Sequence, residues 1–171
     1  MATRLHQGMA AWAGALAAAA GVAHAAGGLK DGADCGGFTT ADAAAWLKAP
    51  AAQVTRSVQK SGPALWLCSF SVGKTPPGIA YSVALAKDAK TAAAEMERYR
   101  DDLSTAGETA PFKGKLPKGA YSDIIGVGDE GIWTDVNGSY TVRKGNVTVQ
   151  FTRPAEKLEQ VKLGKAVLAK F

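Results

Sequence analysis

Four acids lie within thirteen residues of one another: Asp123, Asp129, Glu130 and Asp135. Two carboxyls that converge in a cleft can work as general acid and general base, the pairing that glycoside hydrolysis uses. Any proton transfer in this chain falls to carboxylates, lysines or tyrosines, because its two histidines, His6 and His24, both lie in an N-terminal segment expected to be removed. A chain without imidazole builds no Ser-His-Asp or Cys-His site and no histidine-ligated zinc or copper centre. Carboxylates at turns also cap and solvate loops, and linear spacing does not bring side chains together. No residue is therefore assigned a catalytic role.

The same region carries two motif-like runs. Gly126-Val127-Gly128-Asp129-Glu130-Gly131 has the glycine spacing of a dinucleotide-binding turn. That turn works by presenting the amides of a following helix to a pyrophosphate, and the residues that follow here, Ile132-Trp133-Thr134, read as strand. Asp135-Val136-Asn137-Gly138 opens like a calcium loop, but the twelfth position is Asn146 and not the bidentate glutamate the ion needs. No cofactor and no metal are expected. Trp46, Trp66 and Trp133 are candidates to stack on a ring or line an apolar pocket, and the alternation around Trp66 favours a core position. Trp133, beside the glycine-rich turn, is the first choice for a ligand contact, with Asp129 and Glu130. Lys113 and Lys115, together with Lys118, lie in a stretch that reads as an exposed loop and can meet an anionic partner.

Elements that would hold these residues follow from periodicity. Thr39 and Asp42 start a helix that runs to about Lys48 and stops before Pro50. Val54 and Val58 within Gln53 to Lys60, then Ala64 to Val72, then Ile79 to Lys87, alternate as strands with one buried face. Asp88 to Ala106 places Ala92, Met96, Tyr99 and Leu103 at helical spacing. Strands over Tyr121 to Ile125, Gly131 to Val136, Ser139 to Arg143 and Val147 to Thr152 come next, with Asn137-Gly138 as a hairpin turn. After Pro154 a closing helix directs Leu158, Val161, Leu168 and Phe171 inward. Tight turns between successive strands give an α+β fold: one antiparallel sheet of about six to seven strands with three helices packed on it, on one face.

The first 25 residues have the anatomy of a cleavable signal peptide: Arg4, an apolar run from Met9 to Val22, and Ala23-His24-Ala25 as the cleavage box. The run is shorter than the roughly 20 residues that span hydrocarbon, so no stable membrane anchor is expected. Cys35 follows Gly32-Ala33-Asp34, which is no lipobox, so the mature chain is expected to be free of acyl groups. What remains, 26–171, is one domain in a periplasmic or secreted setting. In that setting the only two cysteines, Cys35 and Cys68, are expected to form a disulfide; their spacing is not that of a C-x-x-C redox pair. A net charge of +5 over the whole chain, without a clustered basic stripe, argues against nucleic acid as a partner.

Cys35 ahead of Phe38-Thr39-Thr40, Cys68 in the second strand, the Gly126 to Trp133 run and Arg143-Lys144-Gly145-Asn146 together resemble a family of small bacterial cell-envelope proteins of unknown function that includes many actinobacterial lipoproteins. The resemblance implies an extracytoplasmic α+β domain and brings no catalytic residues; the missing lipobox departs from its lipidated members. The expected function is a non-catalytic binding or accessory module that holds a small ligand or an envelope protein in a groove near Trp133. Two alternatives come from other classes. One is a carboxylate-dependent hydrolase of cell-wall glycan. The other is an inhibitor of a secreted enzyme, for which Phe112 to Lys118 is the candidate loop.

Overall fold

Local chemistry starts the first helix, α1 (Thr40–Leu47). Thr39 Oγ1 accepts from the Asp42 backbone N–H at 3.1 Å, and Asp42 Oδ2 accepts from the Thr39 backbone N–H at 2.8 Å, a reciprocal capping box. Lys48, in the left-handed region at φ 52, ends the helix two residues before Pro50. The computed structural model describes residues 35–105, 121–135, 138–151 and 156–171. The proposed signal peptide, Lys113, Lys115, Lys118, Val136 and Asn137 lie outside that set.

After α1 come β1 (Val54–Gly62), β2 (Leu65–Val72) and β3 (Ile79–Leu85), then α2 (Ala89–Thr105). At the start of α2, Asp88 Oδ1 accepts from the Thr91 backbone N–H at 2.7 Å. β4 (Tyr121–Asp123), β5 (Glu130–Thr134), β6 (Ser139–Lys144) and β7 (Val147–Phe151) lead into α3 (Lys157–Leu168). The strands form one seven-stranded antiparallel sheet in the order β1-β2-β3-β7-β6-β5-β4. The fold is α+β, with the succession of helices and strands that periodicity implied.

Register decides which side chains share a face. Cys68, Tyr81, Phe151, Tyr140 and Trp133 are successive cross-strand partners and so lie on one face. Leu67, Ser82, Gln150, Thr141, Ile132 and Asp123 are partners one residue out of phase and lie on the other. Ala43 and Ala44 of α1 and Leu163, Val167 and Leu168 of α3 join the first face in the main core. Met96 and Tyr99 of α2 instead pack with Ile132, on the second face. The expectation that all helices share one face is thus corrected: two cover one side and the third covers the other. The reason is visible in β6, where Ser139, Tyr140, Thr141 and Val142 are buried in succession. A strand covered on both faces loses its alternation of burial.

The main core is a row of rings. Phe70 and Tyr81 stack at 6.4 Å, Tyr81 and Phe151 meet at 5.6 Å, and Phe151 and Tyr140 stack at 5.9 Å; Phe38 meets Phe70 edge-on at 5.5 Å. The Cys35–Cys68 disulfide sits at one end of this row with both cysteines buried, and Tyr81 Oη donates to the Cys35 carbonyl at 3.0 Å. Cystine and tyrosine together fasten the segment before α1 to β2 and β3.

One side chain of the closing helix departs from expectation. Leu158 is 64 % exposed, whereas Gln160, Leu163, Gly164 and Val167 face inward. Gln160 Nε2 donates to the Gly138 carbonyl at 2.8 Å, and Gly164 lies against the Tyr140 ring. A helix turned to bury Leu158 would lose both contacts, so tertiary packing overrides the simple apolar stripe.

Candidate functional site

The glycine-rich turn is a device of backbone approach. Gly128 has φ +64, and a Cβ at that position would stand well inside van der Waals contact of the Arg143 carbonyl oxygen. That closeness lets the Asp129 backbone N–H donate to the same carbonyl at 2.8 Å. β5, and no helix, follows the turn, so the amide cradle that a pyrophosphate needs is not formed.

From this turn the acids run into a chain of ion pairs on the α2 side of the sheet. Asp129 Oδ2 accepts from Arg143 Nη1 at 2.9 Å and from the Gly145 backbone N–H at 2.7 Å. Glu130 Oε1 accepts from Arg143 Nε, and Glu130 Oε2 pairs with Arg100 Nη1 at 2.8 Å. Arg100 Nε reaches Asp123 Oδ1 at 3.1 Å. Three carboxylates and two guanidiniums therefore alternate from the 126–131 turn to α2. Sequence reasoning grouped the acids and missed the arginines, because Arg100 and Arg143 lie on elements distant in the chain. Both oxygens of Glu130 are occupied by guanidinium donors, which is the arrangement of a structural clamp between α2, β4, β5 and β6.

Asp135 stands apart from that chain and accepts from Trp133 Nε1 at 2.7 Å. Trp133 is 6 % exposed and belongs to the main core, on the face opposite Ile132. Glu130 and Trp133, three residues apart on one strand, point to opposite sides of the sheet. The structure thus brings Asp123, Asp129 and Glu130 together and separates Trp133 from them. Lys113 and Lys115 fall outside the described residues. Trp66 is buried, with Lys60 Nζ 5.8 Å from its ring centroid. Among the described residues no group of three or more Cys, Asp or Glu side chains is placed to hold a metal ion.

A concave site lies elsewhere, between α1 and the C-terminal end of α3. Phe38, Asp42, Ala45, Trp46, Ala166 and Lys170 line a groove of about 280 Å³. Trp46 is half-buried there, and the two alanines leave the space that larger side chains would fill. Lys170 Nζ pairs with Asp42 Oδ1 at 3.0 Å on the groove wall. Hydrogen bonds from the Thr39 hydroxyl and backbone N–H, aided by Lys170, hold the Asp42 carboxyl down at about 2. The capping residue of α1 is therefore also a fixed negative charge on the groove. Trp46 was the single legible signal of this site in the sequence, since Ala166 and Lys170 meet it only through the packing of α3.

Comparison with protein-family models, with curated proteins and with solved structures finds no match for this chain. Among the described residues no helix is long and apolar enough to cross a membrane.

Proposed function

We propose that this chain is an exported, non-catalytic binding module that holds a small ligand in the groove between α1 and α3. The observation that carries the reading is Trp46: a tryptophan half-buried on a groove wall beside Phe38, Ala45 and Ala166, with a charged pair within the same lining. Apolar walls with a few placed polar groups are the composition of small-molecule sites. The buried cystine supports the extracytoplasmic setting, as do the residues of the N-terminal signal. A glycan hydrolase has less support, because three of the four acids that would serve it, Asp123, Asp129 and Glu130, are engaged by Arg100 and Arg143, and Asp135 stands apart from them on Trp133.

Two measurements test the proposal. Tryptophan emission is followed while the protein is titrated with N-acetylglucosamine oligomers and with free amino acids, in parallel with Trp46→Phe. A saturable change that disappears in Trp46→Phe supports the groove; no change with either class of probe rejects it. N-terminal sequencing of protein released from the periplasm of an expressing Gram-negative host is expected to begin near Ala26. Intact chain with Met1 retained, confined to the cytosol, overturns the exported setting.

A further inference from the structure

We infer that the groove recognises a zwitterion: a free α-amino acid with an apolar side chain, its ammonium on Asp42, its carboxylate on Lys170 and its side chain against Trp46. This rests on the binding reading above and names the ligand class. Asp42 Oδ2 is committed to α1, since it accepts from the backbone N–H of Thr39 at 2.8 Å and from its hydroxyl at 2.7 Å. Oδ1 has Lys170 as its partner, at 3.0 Å. An ammonium carries three donors, and the contact with Asp42 uses one of them. Each member of the pair thus keeps capacity for a second, oppositely charged group.

An α-amino acid bears both charges on one carbon, so it can lie alongside the Asp42–Lys170 pair with each charge opposite its complement. A simple carboxylate would meet Lys170 but also the Asp42 anion, and a simple amine would meet Asp42 but also the Lys170 cation. Like charges brought together in this way are what a site uses to refuse the wrong ligand. With its carboxyl held down at about 2, Asp42 is ionised across the pH range in which amino acids are zwitterions.

Lys170 is well positioned for the role. Its backbone N–H donates to the Val167 carbonyl at 3.0 Å, and the next residue, Phe171, lays its ring on Gly36, where any Cβ would collide with it. The lysine therefore projects from a backbone pinned on both sides. Phe38, Trp46, Ala45 and Ala166 supply the apolar lining, and the volume of about 280 Å³ accommodates a single amino-acid side chain.

The test uses the purified protein and four probes: leucine, leucinamide, N-acetyl-leucine and an N-acetylglucosamine trimer, followed by calorimetry and by Trp46 emission. Leucine is expected to bind about tenfold or more tightly than the amide or the N-acetyl form, each of which lacks one charge. Lys170→Met is expected to erase the preference over leucinamide, and Ala45→Leu, which fills the groove without touching the charges, to abolish binding; unchanged melting temperatures show both variants folded. Equal affinity for leucine and its singly charged analogues overturns the zwitterion. Binding of the trimer without leucine overturns it while leaving the groove as a ligand site, and silence with all four probes rejects both.

Discussion

The ring of Tyr140 lies directly on the backbone of Gly164, so close that a Cβ there would stand 2.5 Å from Cε1. Gly131 flanks the other end of the ring, where a Cβ would be 3.0 Å from the hydroxyl. Two glycines thus make the slot in which α3 meets β6, and Tyr140 is fully buried in it, its phenol pKa pushed up by that burial.

Gly164→Ala tests which of two opposed effects wins. Alanine favours the helix by about 1 kcal/mol over glycine, but overpacking a core contact costs about 1–3 kcal/mol. Tyr140 is hemmed in by Phe151 and cannot swing away, so a net loss of about 1–2 kcal/mol in urea denaturation is expected. A gain in stability would show that α3 slides to relieve the contact.

Arg143 should matter more than Arg100. Its side chain is 11 % exposed against 26 %, and it holds both Glu130 and Asp129. Arg143→Met leaves Asp129 with the Gly145 N–H and the largely buried Glu130 with Arg100 alone, and should cost about 2–3 kcal/mol, with Arg100→Met nearer 1 kcal/mol. A double-mutant cycle of Arg143 with Glu130 is expected to return a clear coupling energy; additive losses would mean the chain of pairs acts as separate surface bridges.

Acid should weaken the start of α1 over a defined range. The Asp42 carboxyl is depressed from an ordinary 3.8 to about 2, chiefly by the Thr39 hydroxyl. A depressed acid stabilises the fold above its unfolded value, and that contribution fades as pH falls through the folded one. Asp42→Ala should therefore lower stability by about 1 kcal/mol at neutral pH. The gap from wild type should narrow steadily as pH falls from about 4 through 2. A gap that is the same at pH 2 as at pH 4 would assign the loss to packing and not to the cap.

The cystine closes a loop with a sequence separation of 33, which in the chain-entropy account stabilises the fold by about 4 kcal/mol. Replacing both cysteines by alanine is expected to lower the denaturation midpoint correspondingly. Because both sulfurs are buried, mild reductant should act on the folded protein slowly and only through opening. Rapid reduction without loss of stability would argue against a structural bridge.

Much of this molecule is legible in its residues. Period-two alternation from Trp66 to Val72 and from Ile79 to Leu85, the Thr39 and Asp88 starts, and the even cysteine count rest on interactions within a few residues or on composition, and they gave the elements, their succession and the disulfide. The separation of Glu130 from Trp133 was not legible: the strand was expected to begin at Gly131, and only a β5 that begins at Glu130 puts these two residues, three apart, on opposite faces. The sides taken by the helices were not legible: a helical stripe such as Met96 and Tyr99 says that it covers a sheet, and is silent on which face. Nor were the pairings of Arg143 with Asp129 and Glu130, of Arg100 with Glu130 and Asp123, or of Lys170 with Asp42. Each joins residues from elements that local forces form independently, and long charged side chains carry no periodic signal of their partners. Their meeting depends on how the helices pack across the finished sheet, and only the tertiary structure fixes that.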